Sequence, residues 1–278
     1  MFHIFFFLSS LVSILIFVVP LLGQLFFYYW LLLKLKSRTD FNTCHVMGKA
    51  KLTELSLMAK LQALYLFSYN FLQFLGWTTA LFRILSNLIS TKLVTGAYAS
   101  AGELICLLQC CAFLEVIHGA IGIVPSGVVL PLMQWSGRTH FVLAIVRQIV
   151  EVKELPSMFI TFSAWSLTEV IRYSHYALSC IGSPPYLITY LSIFLPIRYT
   201  AFILLYPVGV GPGEIWLMYQ ALPFIKRGNL YANSLPFSYY NFIKVLLVLY
   251  PLLWLKLYLH LFKQRRSKLG KYQKTKKI

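Results

Sequence analysis

The chain has 278 residues, of which 59% are hydrophobic and only 12% charged, and its mean hydropathy is +0.71. An ordinary soluble domain carries about 25% charged residues, so there is too little charge here to cover a water-facing surface. The net charge of +17 does not form a nucleic-acid face: the lysines and arginines gather at Lys34–Lys60 and Lys263–Lys277, beside apolar runs, where the cytosolic flanks of membrane segments carry them. That distribution argues against a nucleic-acid partner and makes membrane lipid, with its acidic headgroups, a partner.

The first segment, Met1–Leu33, is apolar, is broken by Pro20 and Gln24, and is followed by Lys34, Lys36 and Arg38. A cleaved signal peptide has its charge before a shorter apolar core. Charge after the core suits an uncleaved extra hydrophobic helix with its N-terminus outside, although a misassigned first exon would read the same way. Six core spans follow, at Leu64–Ile89, Ala101–Ile123, Val128–Val150, Pro156–Ile181, Tyr186–Val210 and Asn241–Phe262. Runs of this length and uniformity predict membrane helices, because lipid cannot satisfy free backbone groups. The joints carry turn-forming or charged residues: Val124-Pro125-Ser126-Gly127, Glu151-Val152-Lys153-Glu154 and Gly182-Ser183-Pro184-Pro185. Gly209-Val210-Gly211-Pro212-Gly213 reads as a break ending the fifth span, with a hydrophilic connection from Gly211 to Tyr240. The expected fold is therefore all-α: a polytopic membrane bundle of six core helices. It divides into an N-terminal segment and basic linker (1–62), the six-helix domain (63–262) and a basic cytosolic tail (263–278).

Topology follows from charge. A cytosolic Lys34–Lys60 and six crossings return the tail to the cytosol, as its own lysines require, and place the connection after Val210 on the lumenal side. The last residues, Lys274-Thr275-Lys276-Lys277-Ile278, have lysines third and fifth from the end, as in the lysine-based retrieval signal of endoplasmic-reticulum membrane proteins; a merely basic tail would look alike.

Charges inside the spans are the most informative feature. Glu103, Glu115, Glu169, Glu214, Arg138, Arg172 and Arg198 lie within or beside apolar runs. Each costs about 2.5–3.5 kcal/mol or more at a helix centre and needs a partner or a polar cavity. Glu169 and Arg172 stand three apart, on one helix face, and read equally as a packing ion pair or as part of a site. Glu115-x-x-His118 occurs once, whereas di-iron bundles need two copies and two further glutamates, so no metal is expected; a polar lining or a paired core histidine fits better. The cysteines match neither a zinc nor a disulfide framework and read as buried free thiols. A phosphate loop, a Cys-x5-Arg phosphatase motif and a Gly-x-Ser-x-Gly hydrolase motif are all missing.

Four ordered motifs remain: Tyr69-Asn70-x-x-Gln73-x-x-Gly76-Trp77, Leu114-Glu115-x-x-His118-x-x-x-Gly122, Trp165-Ser166-Leu167-Thr168-Glu169-Val170-Ile171-Arg172-Tyr173, and Arg198-Tyr199-x-x-Phe202-x-x-Leu205-Tyr206-Pro207-x-Gly209. From about Tyr65 onward the chain resembles the very-long-chain (3R)-3-hydroxyacyl-CoA dehydratases, also called protein-tyrosine-phosphatase-like proteins, of the plant PASTICCINO type. The resemblance implies a lyase that converts a 3-hydroxyacyl-CoA to the trans-2-enoyl-CoA in fatty acid elongation, in a six-span fold of the endoplasmic reticulum, beside other elongation enzymes and without a cofactor. It also implies a catalytic pair, Tyr206 and Glu214. In the family pattern the two stand one position closer together; on a continuous helix the extra residue would turn Glu214 by about 100°, whereas a glycine-rich loop would absorb it. Glu214 is expected to act as base and Tyr206 as proton donor, with the reverse open. Arg198, Tyr199, Glu169, Arg172, Gln134 and Arg138 are expected around the substrate pocket. The alternatives are a non-catalytic membrane scaffold of the elongation complex and a small transporter, which intramembrane charge alone would allow.

Overall fold

The computed structural model describes residues 48–125, 127–181, 203–233 and 235–275. Met1–Leu33, Arg198, Tyr199 and the final lysines of the tail lie outside the described residues, as does most of the expected fifth span.

Among the described residues every element is helical. Helix α1 runs over Gly48–Thr91, α2 over Ala97–Cys111 and α3 over Phe113–Ala120. Helix α4, Val129–Thr139, passes into a π-helical stretch, π1, at His140–Val146. A 3-10 turn at Glu151–Glu154 then leads into α5, Pro156–Cys180. Pro156 sits in the first turn of α5, where its missing N–H leaves no bond unmade. Residues 203–208 are helical and continue without interruption through a second π stretch, π2 (Gly209–Ile215), into α6 (Trp216–Arg227). The last helix, α7, spans Tyr239–Thr275.

Helix α5 is the axis of the bundle: α1 packs along one side and π2 along another, while α7 joins through α6. Around that axis lie Trp77, Ile84, Ile105, Phe141, Met158, Phe162, Tyr173, Leu217, Met218, Ile225 and Ile243, all nearly inaccessible. The outside is apolar too. Phe82 is 70% exposed, Ile89 69%, Leu204 74% and Val248 72%, and a surface this apolar marks contact with another molecule or a membrane. Among the described residues one helical stretch, Ala97–Ala120, is long and apolar enough by itself to cross a membrane. α5 carries Glu169 and Arg172, and α1 carries Lys60 and Arg83; polar groups of this kind dilute hydropathy in the other helices.

Three expectations change. Gly209–Gly213 does not break the chain; it lies inside a continuous helix that widens to π geometry. Pro212 has no N–H to give, and its ring collides with the carbonyl four residues back in an α turn; a wider turn relieves that collision. The connection expected over Gly211–Tyr240 shrinks to residues 228–238. The thiols differ as well: all four described cysteines are free, but only Cys106 is buried, and Cys110 is exposed.

Candidate active site

The π2 stretch is pressed against α5. A Cβ added at Gly213 would stand 2.6 Å from Thr161 Oγ1, and one at Gly209 3.2 Å from the Ala164 Cβ. Gly209-x-x-x-Gly213 is thus a small-residue contact of the kind that lets membrane helices approach closely. The contact fixes Glu214, the next residue, at α5. Glu214 is 3% exposed, and its Oε1 accepts a hydrogen bond of 2.7 Å from Trp165 Nε1 on α5. Its Oε2 accepts one from the Tyr250 hydroxyl on α7.

Glu214 and Tyr206 both open onto one cavity of about 410 Å³, within the usual range for a small-molecule site. Four helical stretches build it. α4 and the start of π1 give Gln134, Arg138 and His140; α5 gives Trp165 and Thr168. The 203–215 stretch gives Tyr206 and Glu214, and α7 gives Phe242, Tyr250 and Trp254. The Tyr206 ring stacks on Trp254 and Tyr258 of α7, at centroid separations of 6.5 and 6.3 Å. The extra residue between Tyr206 and Glu214 therefore needs no loop. A π turn holds one residue more than an α turn, and such bulges recur at functional sites; here both ends of the stretch face one cavity.

Behind Arg138 runs a chain of alternating charges. Arg138 donates to Glu169 Oε1 at 2.5 Å, and its guanidinium lies 4.8 Å over the Trp165 ring. Arg172 donates to the other Glu169 oxygen at 2.5 Å and reaches Glu115 with two further bonds, at 2.7 and 3.0 Å. Glu115 also accepts from the Tyr173 hydroxyl and, at 3.4 Å, from Tyr69. Two carboxylates thus hold two guanidiniums in a row, buried at Arg138 and Glu169 and half-buried at Arg172 and Glu115, each charge facing its opposite. His118 has a separate partner, the Tyr65 hydroxyl at 2.8 Å, and packs edge-on against the Tyr65 and Tyr69 rings; it is a paired core histidine. Among the described residues no group of three or more His, Cys, Asp or Glu side chains converges to hold a metal ion.

Of the residues singled out from sequence, Tyr206, Glu214, Gln134 and Arg138 meet at the cavity. Glu169 and Arg172 stand one layer behind it: Glu169 holds Arg138, and Arg172 holds Glu169. Tyr250 and Trp165, the two donors on Glu214, were not singled out. Trp165 stands four residues before Glu169 and shares its helix face, a signal that was available. No spacing marks Tyr250, because only the docking of α7 brings it to Glu214.

The model of the family described as protein tyrosine phosphatase-like protein, PTPLA, matches residues 109–271. The human protein named very-long-chain (3R)-3-hydroxyacyl-CoA dehydratase 2 is 36% identical over 220 residues, covering 77% of this chain and 84% of that protein. The Caenorhabditis elegans dehydratase hpo-8 is 32% identical over 219 residues, 76% of this chain and 97% of its own length. The Arabidopsis thaliana dehydratase PASTICCINO 2 is 34% identical over 200 residues, 69% of this chain and 86% of its own. The likeness thus extends to animal and plant proteins alike. No solved structure matches the chain. With the family model covering more than half the chain and relatives above 30% identity covering most of it, this chain belongs to the protein tyrosine phosphatase-like family, PTPLA.

Proposed function

We propose that the protein removes water from very-long-chain (3R)-3-hydroxyacyl-CoA to give the trans-2-enoyl-CoA of fatty acid elongation, with Tyr206 and Glu214 as its catalytic pair. The observation that carries the reading is the opening of both side chains onto one cavity in a chain related to proteins named for this reaction. Elimination needs a base for the proton on carbon 2 and a donor for the oxygen leaving carbon 3. Both Glu214 oxygens accept hydrogen bonds, the pattern of an ionised carboxylate, which is acceptor-only; that favours Glu214 as the base. It takes the carbon-2 proton, the electron pair closes the double bond, and the carbon–oxygen bond breaks. The Tyr206 hydroxyl donates its proton to the departing oxygen, which leaves as water. Arg138 faces the same cavity, and a fixed cation there suits the charge that develops on the thioester oxygen. Gln134 adds a polar wall.

The chain acts as a six-span bundle of the endoplasmic-reticulum membrane with its tail in the cytosol, and its dehydratase domain occupies residues 63–262. The apolar outside of the described helices supports the membrane reading, and the paired row of charges removes the cost of holding Glu169 and Arg138 at depth. The long-chain acyl-CoA is the substrate, and other elongation enzymes are the partners that supply it and take the product. A scaffold rested on the extra residue before Glu214, and the π turn takes away that support.

Purified protein tests the reading. Wild type turns over a long-chain 3-hydroxyacyl-CoA, and Tyr206→Phe and Glu214→Gln each lose at least about 100-fold in kcat. Activity that survives both substitutions sinks the assignment, and an inactive wild type would return the scaffold.

A further inference from the structure

The carboxylate of Glu214 is held from two sides by donors on two different helices. Trp165 Nε1, from α5, takes Oε1 at 2.7 Å, and the Tyr250 hydroxyl, from α7, takes Oε2. Two donors on two oxygens fix both the position and the plane of a carboxylate. The indole is locked by its surroundings. Trp165 is 2% exposed, wedged among Phe141 and Phe162 with Arg138 over its face. Tyr250, on α7, is half-buried and packs against the core. Glu214 itself sits on a π turn two of whose three glycines, Gly209 and Gly213, are seated on α5. A backbone of that kind positions the carboxylate from one side only, and α7 closes the other.

We infer that Tyr250 is a positioning residue for the dehydration: with Trp165 it clamps the Glu214 carboxylate, so that the site is complete only when α7 is docked. The inference rests on Glu214 being the base proposed above. A base is effective only when its lone pair is aimed at the proton it removes, and a shift of about 1 Å can cost about 100-fold. Glu214 has two rotatable bonds before its carboxyl plane turns. Without Tyr250, Oε2 loses its partner and the plane is free to swing about the remaining Trp165 bond. α7 therefore contributes more than a wall to the cavity. It supplies the group that aims the base, together with the Trp254 and Tyr258 rings that seat Tyr206.

The test is Tyr250→Phe, which keeps the ring and removes only the hydroxyl. The clamp predicts that kcat falls about 10- to 100-fold, as when a supporting partner of a fixed site is lost, while KM stays within about threefold. It further predicts a larger primary isotope effect with substrate deuterated at carbon 2, because proton removal has become slower than the other steps. A general loosening of the bundle would instead raise KM, lower the unfolding midpoint and leave the isotope effect alone. Trp165→Phe, which removes the opposite donor, should show the same kinetic signature and serves if the first variant unfolds. Wild-type kcat in Tyr250→Phe overturns the clamp, as does loss of kcat with an unchanged isotope effect. The two proposals fail separately: an inactive Glu214→Gln beside a fully active Tyr250→Phe removes the clamp alone, whereas turnover by Glu214→Gln removes the reading beneath it.

Discussion

Glu169 is the hinge of the charge row. It is 1% exposed, and each of its oxygens accepts from a different arginine at 2.5 Å. Removing one member of a buried pair strands the other, at a cost of about 3–5 kcal/mol. Glu169→Gln keeps the shape and deletes the charge, so it leaves Arg138 and Arg172 facing a neutral amide. The expected result is a loss of about 3–5 kcal/mol, read as a lowered unfolding midpoint in detergent, together with reduced turnover because Arg138 loses its anchor. An unchanged midpoint would mean that water reaches the row. The i,i+3 spacing of Glu169 and Arg172 made their pairing legible in the sequence. Their further partners, Arg138 and Glu115, lie on α4 and α3, and no spacing within one helix announces a partner on another.

At the scale of elements the decisive feature is π2. Its glycines and Pro212 read as a helix break, since each has low helix propensity. Packing reversed that reading: the missing side chains let the stretch sit on Thr161 and Ala164, and tertiary contact outweighs local propensity. The extra residue between Tyr206 and Glu214 is taken up in the widened turn. Deleting Gly211, where an added Cβ would meet nothing within 4 Å, should collapse π2 to an α turn and keep Glu214 aimed at Trp165. Turnover within about threefold of wild type is expected. Inserting an alanine after Gly211 should instead rotate Glu214 by about 100° and abolish turnover. Equal activity in the two variants would show that the register of this stretch does not matter.

For the whole molecule, length and charge set the arrangement proposed for it in the membrane. α1 has 44 residues and α7 has 37, or about 66 Å and about 56 Å at 1.5 Å per residue. Both exceed the roughly 30 Å thickness of a bilayer's apolar layer. The helix through π2 runs on to Arg227, so Glu214 lies about 20 Å short of that end, inside the bundle. The proposed topology puts the 228–238 connection in the lumen. An Asn-x-Ser/Thr acceptor placed there should be glycosylated in microsomes, and one appended to the tail should not. The reverse pattern would invert the bundle.

The sequence by itself determined the all-helical character, the apolar outside and the presence of buried charge, because these depend on composition and on periodicity along one helix. Through motif resemblance it also pointed to Tyr206 and Glu214 as the pair proposed above. Only the tertiary structure decided which charges pair, that a glycine-rich stretch stays helical, and that Tyr250 reaches Glu214. Each of these depends on contacts between helices far apart in the chain, and the spacing of residues within one helix carries no record of its neighbours.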